Sequence, residues 1–232
     1  MRTRTEATRV EVSLRAGRAV VSSGGGVLRV VTLGATGARL RLALVPERAL
    51  LLAGDDVALD VRVDDGVQLH LVETAGTVAY DMRGGEARWQ VRLGVGDDAS
   101  LVHDALPWVS AQGSRVERRL DLELVGSGTA LLRETLVLGR HGERPGALVS
   151  RTRVSRDGEP VLVEDLDAAD LAPARVLDAV YAFGPPSEAV PGLTRLVTAD
   201  GDVIHRSLAD AAHEASGLLD RAWAQTLAPG GR

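Results

Sequence analysis

The chain has no cysteine and no lysine, and its aromatics are three tryptophans, two tyrosines and one phenylalanine. The lack of cysteine excludes disulfides, thiolate metal sites and sulfur nucleophiles together. With aromatics at 3%, the core has to be assembled from Val, Leu and Ala. All 27 basic side chains are arginine, a bias that carries no mechanistic information. No run approaches the roughly 18 apolar residues that a spanning helix needs. The opening "MRTRTEATRVEV" is basic but has no apolar stretch after it, so it does not read as a secretory signal. The net charge of -5 and a pI near 5.6 argue against a nucleic-acid or anionic-membrane surface. A cytoplasmic location is the plain expectation.

What is present is alternation. Val10, Val12 and Leu14 alternate with Glu11 and Ser13, and Leu40, Leu42 and Leu44 repeat the pattern. Val57, Leu59, Val61 and Val63 follow, then Val67, Leu69 and Leu71, then Trp89, Val91 and Leu93, then Leu120, Leu122 and Leu124. Period-2 spacing puts one face of each strand in a core. The breaks are turn formers: Asp64-Asp65-Gly66, Gly84-Gly85, Gly96-Asp97-Asp98, Gly126-Ser127-Gly128 and Asp157-Gly158. The segments "VGDDASLVHD", "VGSGTALLRE" and "SRDGEPVLVE" recur with a shift of roughly 30 residues, each a strand, a tight turn and a returning strand. "VDDGVQLHLVE" joins them with a one-residue slip. Each returning strand ends in an acid: Glu73, Asp104, Glu134 and Glu164. The expected architecture is mainly β, stacked antiparallel hairpins in a solenoid- or sandwich-like body over about residues 8–204. After it the period changes to 3.6: Leu208, Ala211, Ala212, Ala215, Leu218, Leu219, Ala222 and Trp223 form the stripe of an amphipathic helix over about 206–227. Ser207 with Asp210 reads as its capping box and Pro229-Gly230-Gly231 as its end. No flexible linker divides the chain, so 1–232 reads as one domain.

Motifs for catalysis are missing. The five histidines form no HExxH or HxH pair, and His70 and His103, on alternating strands, are expected to face outward. There is no nucleophile elbow, P-loop or dinucleotide fingerprint. Gly54-Asp55-Asp56 reads as an Asx-type turn into a strand. The feature with no evident structural need for its charges is the glycine corner Leu138-Gly139-Arg140-His141-Gly142-Glu143.

Taken in order, several segments resemble one family. "LPWVSAQGSRVERRLDLEL" (106–124), "ALLRETLVLGRHGE" (130–143) and "ALVSRTRVSRDGEPVLVEDL" (147–166) are similar to the UreD (also called UreH) urease accessory proteins. Gly54-Asp55 before Val57, Leu59 and Val61 matches that family's "GD" strand start, and Thr77 to Tyr80 stands where it has "T-K-v-Y". "GLTRLVTADGDVIHRSL" (192–208) matches its late hairpin. The chain departs at Leu52-Ala53, where the family often has Gly-Gly, and at Val78 in place of a lysine, so it reads as a short, divergent member.

The resemblance implies a non-catalytic chaperone of metallocentre assembly. Such a protein holds apo-urease together with accessory protein F and the nickel-carrying accessory GTPase G while nickel is inserted. It has no tightly bound cofactor, and Ni2+ passes through transiently. Under that reading Asp55, Asp60, Glu73, Asp104, Glu134 and Glu164 are the candidate nickel-path carboxylates. Spaced carboxylates hold nickel loosely, where thiolates or imidazole clusters would retain it. Arg140, His141 and Glu143 are the candidate partner surface or structural corner. The rivals are a β-rich binding module unrelated to urease, and a small hydrolase or isomerase whose carboxylates and histidine converge in a pocket.

Overall fold

The computed structural model describes residues 5–227. Two antiparallel ribbons come first: β1 (Glu6–Arg15) with β2 (Arg18–Gly24), and β3 (Leu28–Thr36) with β4 (Arg39–Pro46). The chain then winds in coils. One coil holds β5 (Asp56–Val63), β6 (Gln68–Glu73) and the short β7 (Thr77–Ala79). The next holds β8 (Ala87–Val95), β9 (Ser100–Asp104) and β10 (Trp108–Ser110), and a third holds β11 (Arg115–Leu124) and β12 (Thr129–Leu138). Then β13 (Ala147–Arg156) folds back on β14 (Glu159–Asp167). Finally β15 (Val176–Phe183), β16 (Thr194–Val197) and β17 (Val203–Ala209) lead to α1 (Ala212–Leu227).

These strands make two facing sheets. The first runs β14-β13-β11-β8-β5-β1-β2 and the second β16-β17-β15-β12-β9-β6-β4-β3, with β7 and β10 attached to the second. The mainly-β, stacked, solenoid-like body with a terminal helix is therefore as expected, but the strand pairing is not. The repeated units are arches, not antiparallel hairpins. β5, β8 and β11 each cross at their turn into the opposite sheet, and equivalent strands of successive coils pair in parallel. Only the unit at Asp157-Gly158 closes as a true hairpin. An arch and a hairpin need similar turn residues. The arch wins here because it lets the apolar rows of both strands face each other across the roughly 10 Å between packed sheets. The turn acids then bond along the stack. Asp65 Oδ1 accepts from Asp97 N at 2.9 Å, Asp97 Oδ1 from Ser127 N at 2.9 Å, and Asp157 Oδ1 from Gly126 N at 2.9 Å.

Between the sheets lies one core, with Leu42, Leu59, Leu71, Leu101, Leu122, Leu136, Tyr181 and Phe183 all fully buried. A second, smaller core sits on the outer face of β15, where Leu131, Val180, Ala182 and Val190 meet Leu219, Ala222 and Trp223 of α1. β15 is consequently buried along its whole length. The helix starts at Ala212, later than expected, because Val203–Ala209 pairs with β15. Ser207 stands opposite Asp178 in that ladder, so the Ser207–Asp210 capping box does not form, and Leu208 lies exposed on the strand. The Pro229-Gly230-Gly231 stop lies outside the described residues. No helix among the described residues is long and apolar enough to cross a membrane.

Candidate functional site

The two sheets sort the six carboxylates by side. Asp55 belongs to the turn before β5: its Oδ2 accepts from Leu52 N at 2.8 Å, and the Arg48 guanidinium grips both oxygens at 3.0 and 3.1 Å. Asp60 is on the outer face of the first sheet, 2.8 Å from Arg92 Nη1. Asp104 is on the outer face of the second sheet. Glu73, Glu134 and Glu164 point between the sheets. The spacing of the coils explains the split. β6 and β9 are offset by 32 residues (Gln68 opposite Ser100), whereas β9 and β12 are offset by 29 (Ser100 opposite Thr129). Asp104 therefore pairs with Val72, one position short of Glu73. In a strand, one position is the other face.

The three interior glutamates belong to two sets of polar contacts that meet at the lining of one small cavity. Glu73 Oε1 lies 3.4 Å from His103 Nε2, a contact not aligned as a hydrogen bond. Beyond His103, Arg118 reaches in from β11 and donates to Glu134 Oε1 and, at 3.3 Å, to Ser150 Oγ. Tyr181 donates to Glu134 Oε2 at 3.1 Å, and Arg206 Nη2 donates to the Tyr181 hydroxyl at 3.4 Å. Arg206 then holds Glu164 with two bonds of 2.6 Å. The two sets together cross β6, β9, β12, β15 and β17, four strand intervals or roughly 19 Å. Both ends reach solvent: the side chains of Glu73 and Glu164 are 17% and 23% exposed, against 7% for Glu134.

The region where the two sets meet is unusually polar for a core. A cavity of about 30 Å³ is lined by Glu73, His103, Trp108, Arg118, Glu134 and Tyr181 among others, room for one or two water molecules. His103 Nε2, Trp108 Nε1 and Arg118 Nε are buried there with no hydrogen-bond partner among the described residues. Buried polar atoms of this kind call for water or an ion. Burial pushes the Tyr181 hydroxyl far above its ordinary pKa, so it stays a donor. Burial works against the charge of Arg206, but its bonds to Glu164 outweigh that and raise its pKa. Nowhere among the described residues do three His, Asp or Glu side chains converge closely enough to hold a metal ion.

Several of these residues were not anticipated from the sequence. His103 faces inward, only 6% exposed, although an outward face was expected. The run Leu101-Val102-His103 is apolar at both parities, so the pattern could not assign its face. Arg118 did leave a signal: it shares parity with Val116, Leu120 and Leu122, an arginine in a row of core positions. Glu134 likewise shares parity with Ala130, Leu132 and Leu136.

The glycine corner is tied down from both sides. Arg140 Nε and Nη2 donate to Glu143 Oε1 at 2.9 and 2.6 Å, and Glu143 Oε2 accepts from Arg140 N and Gln112 N. Those bonds hold the Glu143 carboxyl down at about 2. From behind, the Arg175 guanidinium donates to the carbonyls of Leu138, Arg140 and Glu143. His141 is exposed at the tip.

A buried Ser187–His205 pair, 3.0 Å apart, has the separation of a nucleophile and its base, but its protons run the wrong way for catalysis. Thr226 Oγ1 donates to Ala222 O at 2.8 Å, so it accepts from Ser187, 2.8 Å away. Ser187 Oγ must then accept from His205 Nε2–H. The histidine is a donor here, and the three side chains seat α1 on the sheet.

Comparison with known proteins finds relatives of this chain over most of its length. The family profile described as UreD urease accessory protein matches residues 2–230. "Urease accessory protein UreD 1" of Streptomyces griseus subsp. griseus is 45% identical over 169 residues, covering 68% of this chain and 66% of that protein, just under two thirds of its length. From Saccharopolyspora erythraea, "Urease accessory protein UreD 2" is 32% identical over 202 residues (80% and 71% covered), and "Urease accessory protein UreD 1" is 36% identical over 187 (69% and 72%). With a family match over residues 2–230 and relatives 32–45% identical, the chain belongs to the UreD urease accessory protein family.

Proposed function

We propose that this chain is a non-catalytic scaffold of urease maturation in the cytoplasm. It holds apo-urease together with accessory protein F and the accessory GTPase G while nickel moves through its interior to the urease active site; GTP hydrolysis belongs to the partner. One observation carries the reading: the polar contacts from Glu73 to Glu164, which lie inside an otherwise apolar core and meet solvent at both ends. A binding module with no route through it would be expected to have a dry core. Nickel is cargo in this scheme. The path offers it single carboxylates and water-sized space, which suits brief residence over capture. The outer face of the first sheet supplies a separate docking surface, where Arg9, Asp60, Arg92, Asp121 and Arg153 align across five strands with alternating sign.

The test is co-purification of the tagged chain with urease subunits and proteins F and G, followed by nickel content and urease activity, with Glu134→Gln and, as the outward-facing control, Asp104→Asn compared with wild type. The expectation is that both variants recover the complex and that only E134Q delivers less nickel. Full activation by E134Q, or a chain that recovers no partner and whose deletion leaves urease active, refutes the proposal.

A further inference from the structure

We infer that the glycine corner is one part of a docking ridge, in which the three loops leading into β8, β11 and β13 present a fixed row of arginines to an extended acidic segment of a partner protein. The inference makes no use of the interior route and stands or falls apart from it.

The loops 80–86, 111–114 and 139–146 join successive coils on one side of the stack, and each is bonded to the next. Met82 N donates to Gly113 O at 3.0 Å, Gln112 N to Glu143 Oε2 at 3.2 Å, and Arg144 N to Gln112 Oε1 at 3.2 Å. Within the first loop, Asp81 Oδ1 accepts from Arg83 N at 2.9 Å. Within the third, the Arg140–Glu143 pair and the guanidinium of Arg175 fix the corner. The backbone of the ridge is thus held before anything binds, which lowers the ordering cost of docking.

Its charges are ones the fold leaves uncommitted. Arg83, Arg115 and Arg144 are exposed and form no ion pair among the described residues. Every other arginine of β8, β11 and β13 reaches a carboxylate within 4.0 Å. Arg140 and Glu143 cancel each other, and Glu86 lies at the far side of its loop beside Gly54 and Asp55. That leaves Asp81 as the acid among the three arginines. Tyr80, 36% exposed, adds an aromatic ring near Arg140, and tyrosine with arginine is the composition that interface hot spots use. At the other end of the same strands, roughly 30 Å away for the nine residues of β8, the turns carry Asp64, Asp65, Asp97, Asp98 and Asp157. The body is electrically polar along its strands, so an acidic segment is drawn to the ridge and repelled by the turns. Neighbouring coils are about 4.8 Å apart, which puts the loops of Arg83 and Arg144 roughly 10 Å apart, a span of about three residues of extended chain. Acids at alternate positions of such a segment meet the ridge together.

The experiment uses the purified full chain and a short fluorescein-labelled peptide in which glutamate alternates with alanine, with binding read by fluorescence anisotropy at low salt. Wild type is compared with R83E/R144E and with R15E/R18E, which makes the same change of net charge at the β1–β2 turn. Thermal midpoints establish that the variants are folded. R83E/R144E is expected to bind about tenfold more weakly than wild type, because two attractive contacts become repulsive, while R15E/R18E stays within about twofold. If R83E/R144E does not fold, Arg144→Glu in the exposed corner carries the test, with a loss of about threefold. Equal losses in the ridge and turn variants overturn the ridge, as does a wild type that does not bind the peptide. A single-stranded DNA of the same length is run beside it. DNA that binds more tightly than the peptide, and is lost in R83E/R144E, shows a phosphate site and refutes the protein partner.

Discussion

Acidification should weaken this fold through His205, and the size of the effect has a ceiling that can be worked out. The imidazole is fully buried under α1, donating to Ser187, which in turn donates to Thr226 of the helix. Burial, helped by the facing Arg195 on β16, lowers its pKa from the ordinary 6.5. The unfolded chain therefore takes up a proton below pH 6.5 that the native protein refuses. More protons bound in the unfolded state means that stability falls as pH falls. If native His205 stays neutral throughout, the loss at pH 5.5 is about 1.4 kcal/mol relative to high pH, and it is negligible above pH 7.5. Asp178 lies under the same helix and works in the opposite direction. Burial raises its pKa, so the native state binds its proton first and gains stability on acidification. His70, on the outer face of the second sheet, is also lowered by burial and by Arg41, against a pull upward from Asp104. The variant His205→Gln separates these contributions, because Asp178 and His70 are common to both proteins. Urea midpoints and amide exchange of 212–227 should be measured from pH 7.5 to 5.5. Wild type should lose up to about 1.4 kcal/mol more than H205Q over that range. Parallel pH profiles, or a wild type that gains on H205Q as the pH falls, would refute the assignment of His205 as a buried neutral donor.

Three other outcomes follow from the same contacts. Glu134→Ala leaves Arg118 charged and unpaired in the core and should cost about 3–5 kcal/mol in urea denaturation, whereas R118M/E134L, which replaces the pair with apolar side chains, should lie much closer to wild type. Trp223→Ala empties the second core beneath α1 and should cost about 3–5 kcal/mol, with exchange in 212–227 rising before that of the coils. Arg175→Ala releases the carbonyls of Leu138, Arg140 and Glu143 and should cost about 2 kcal/mol; an unchanged midpoint would show that the corner does not depend on that guanidinium.

Much of the architecture could be read from local pattern, for a physical reason. Alternation and turn residues are properties of a few neighbouring positions, so strands such as Val57 to Val63 and the turn at Asp64-Asp65-Gly66 are evident without a fold. The stripe of Ala215, Leu219, Ala222 and Trp223 likewise marks a buried helix face wherever the helix docks. The start of that helix was misplaced because the pairing of Val203–Ala209 with β15 is a long-range event, and it outweighs a local capping signal.

The candidate site divides along the same line. The chain by itself determined that acids recur about once per coil, that no thiolate is available, and that Arg118 and Glu134 stand in core-facing rows. Only the tertiary structure decided which acids meet. Whether a turn makes a hairpin or an arch depends on which apolar rows find each other, and that choice sends β5 and β6 into different sheets. The unequal offsets between coils then turn Asp104 outward and leave Glu73 and Glu134 inside. Arg118 from one sheet, Tyr181 and Arg206 from the other, and Glu164 from a folded-back hairpin join into one path because packing brings them within hydrogen-bond reach. Face and contact are set by partners far away in sequence, and a strand's own residues do not carry that information.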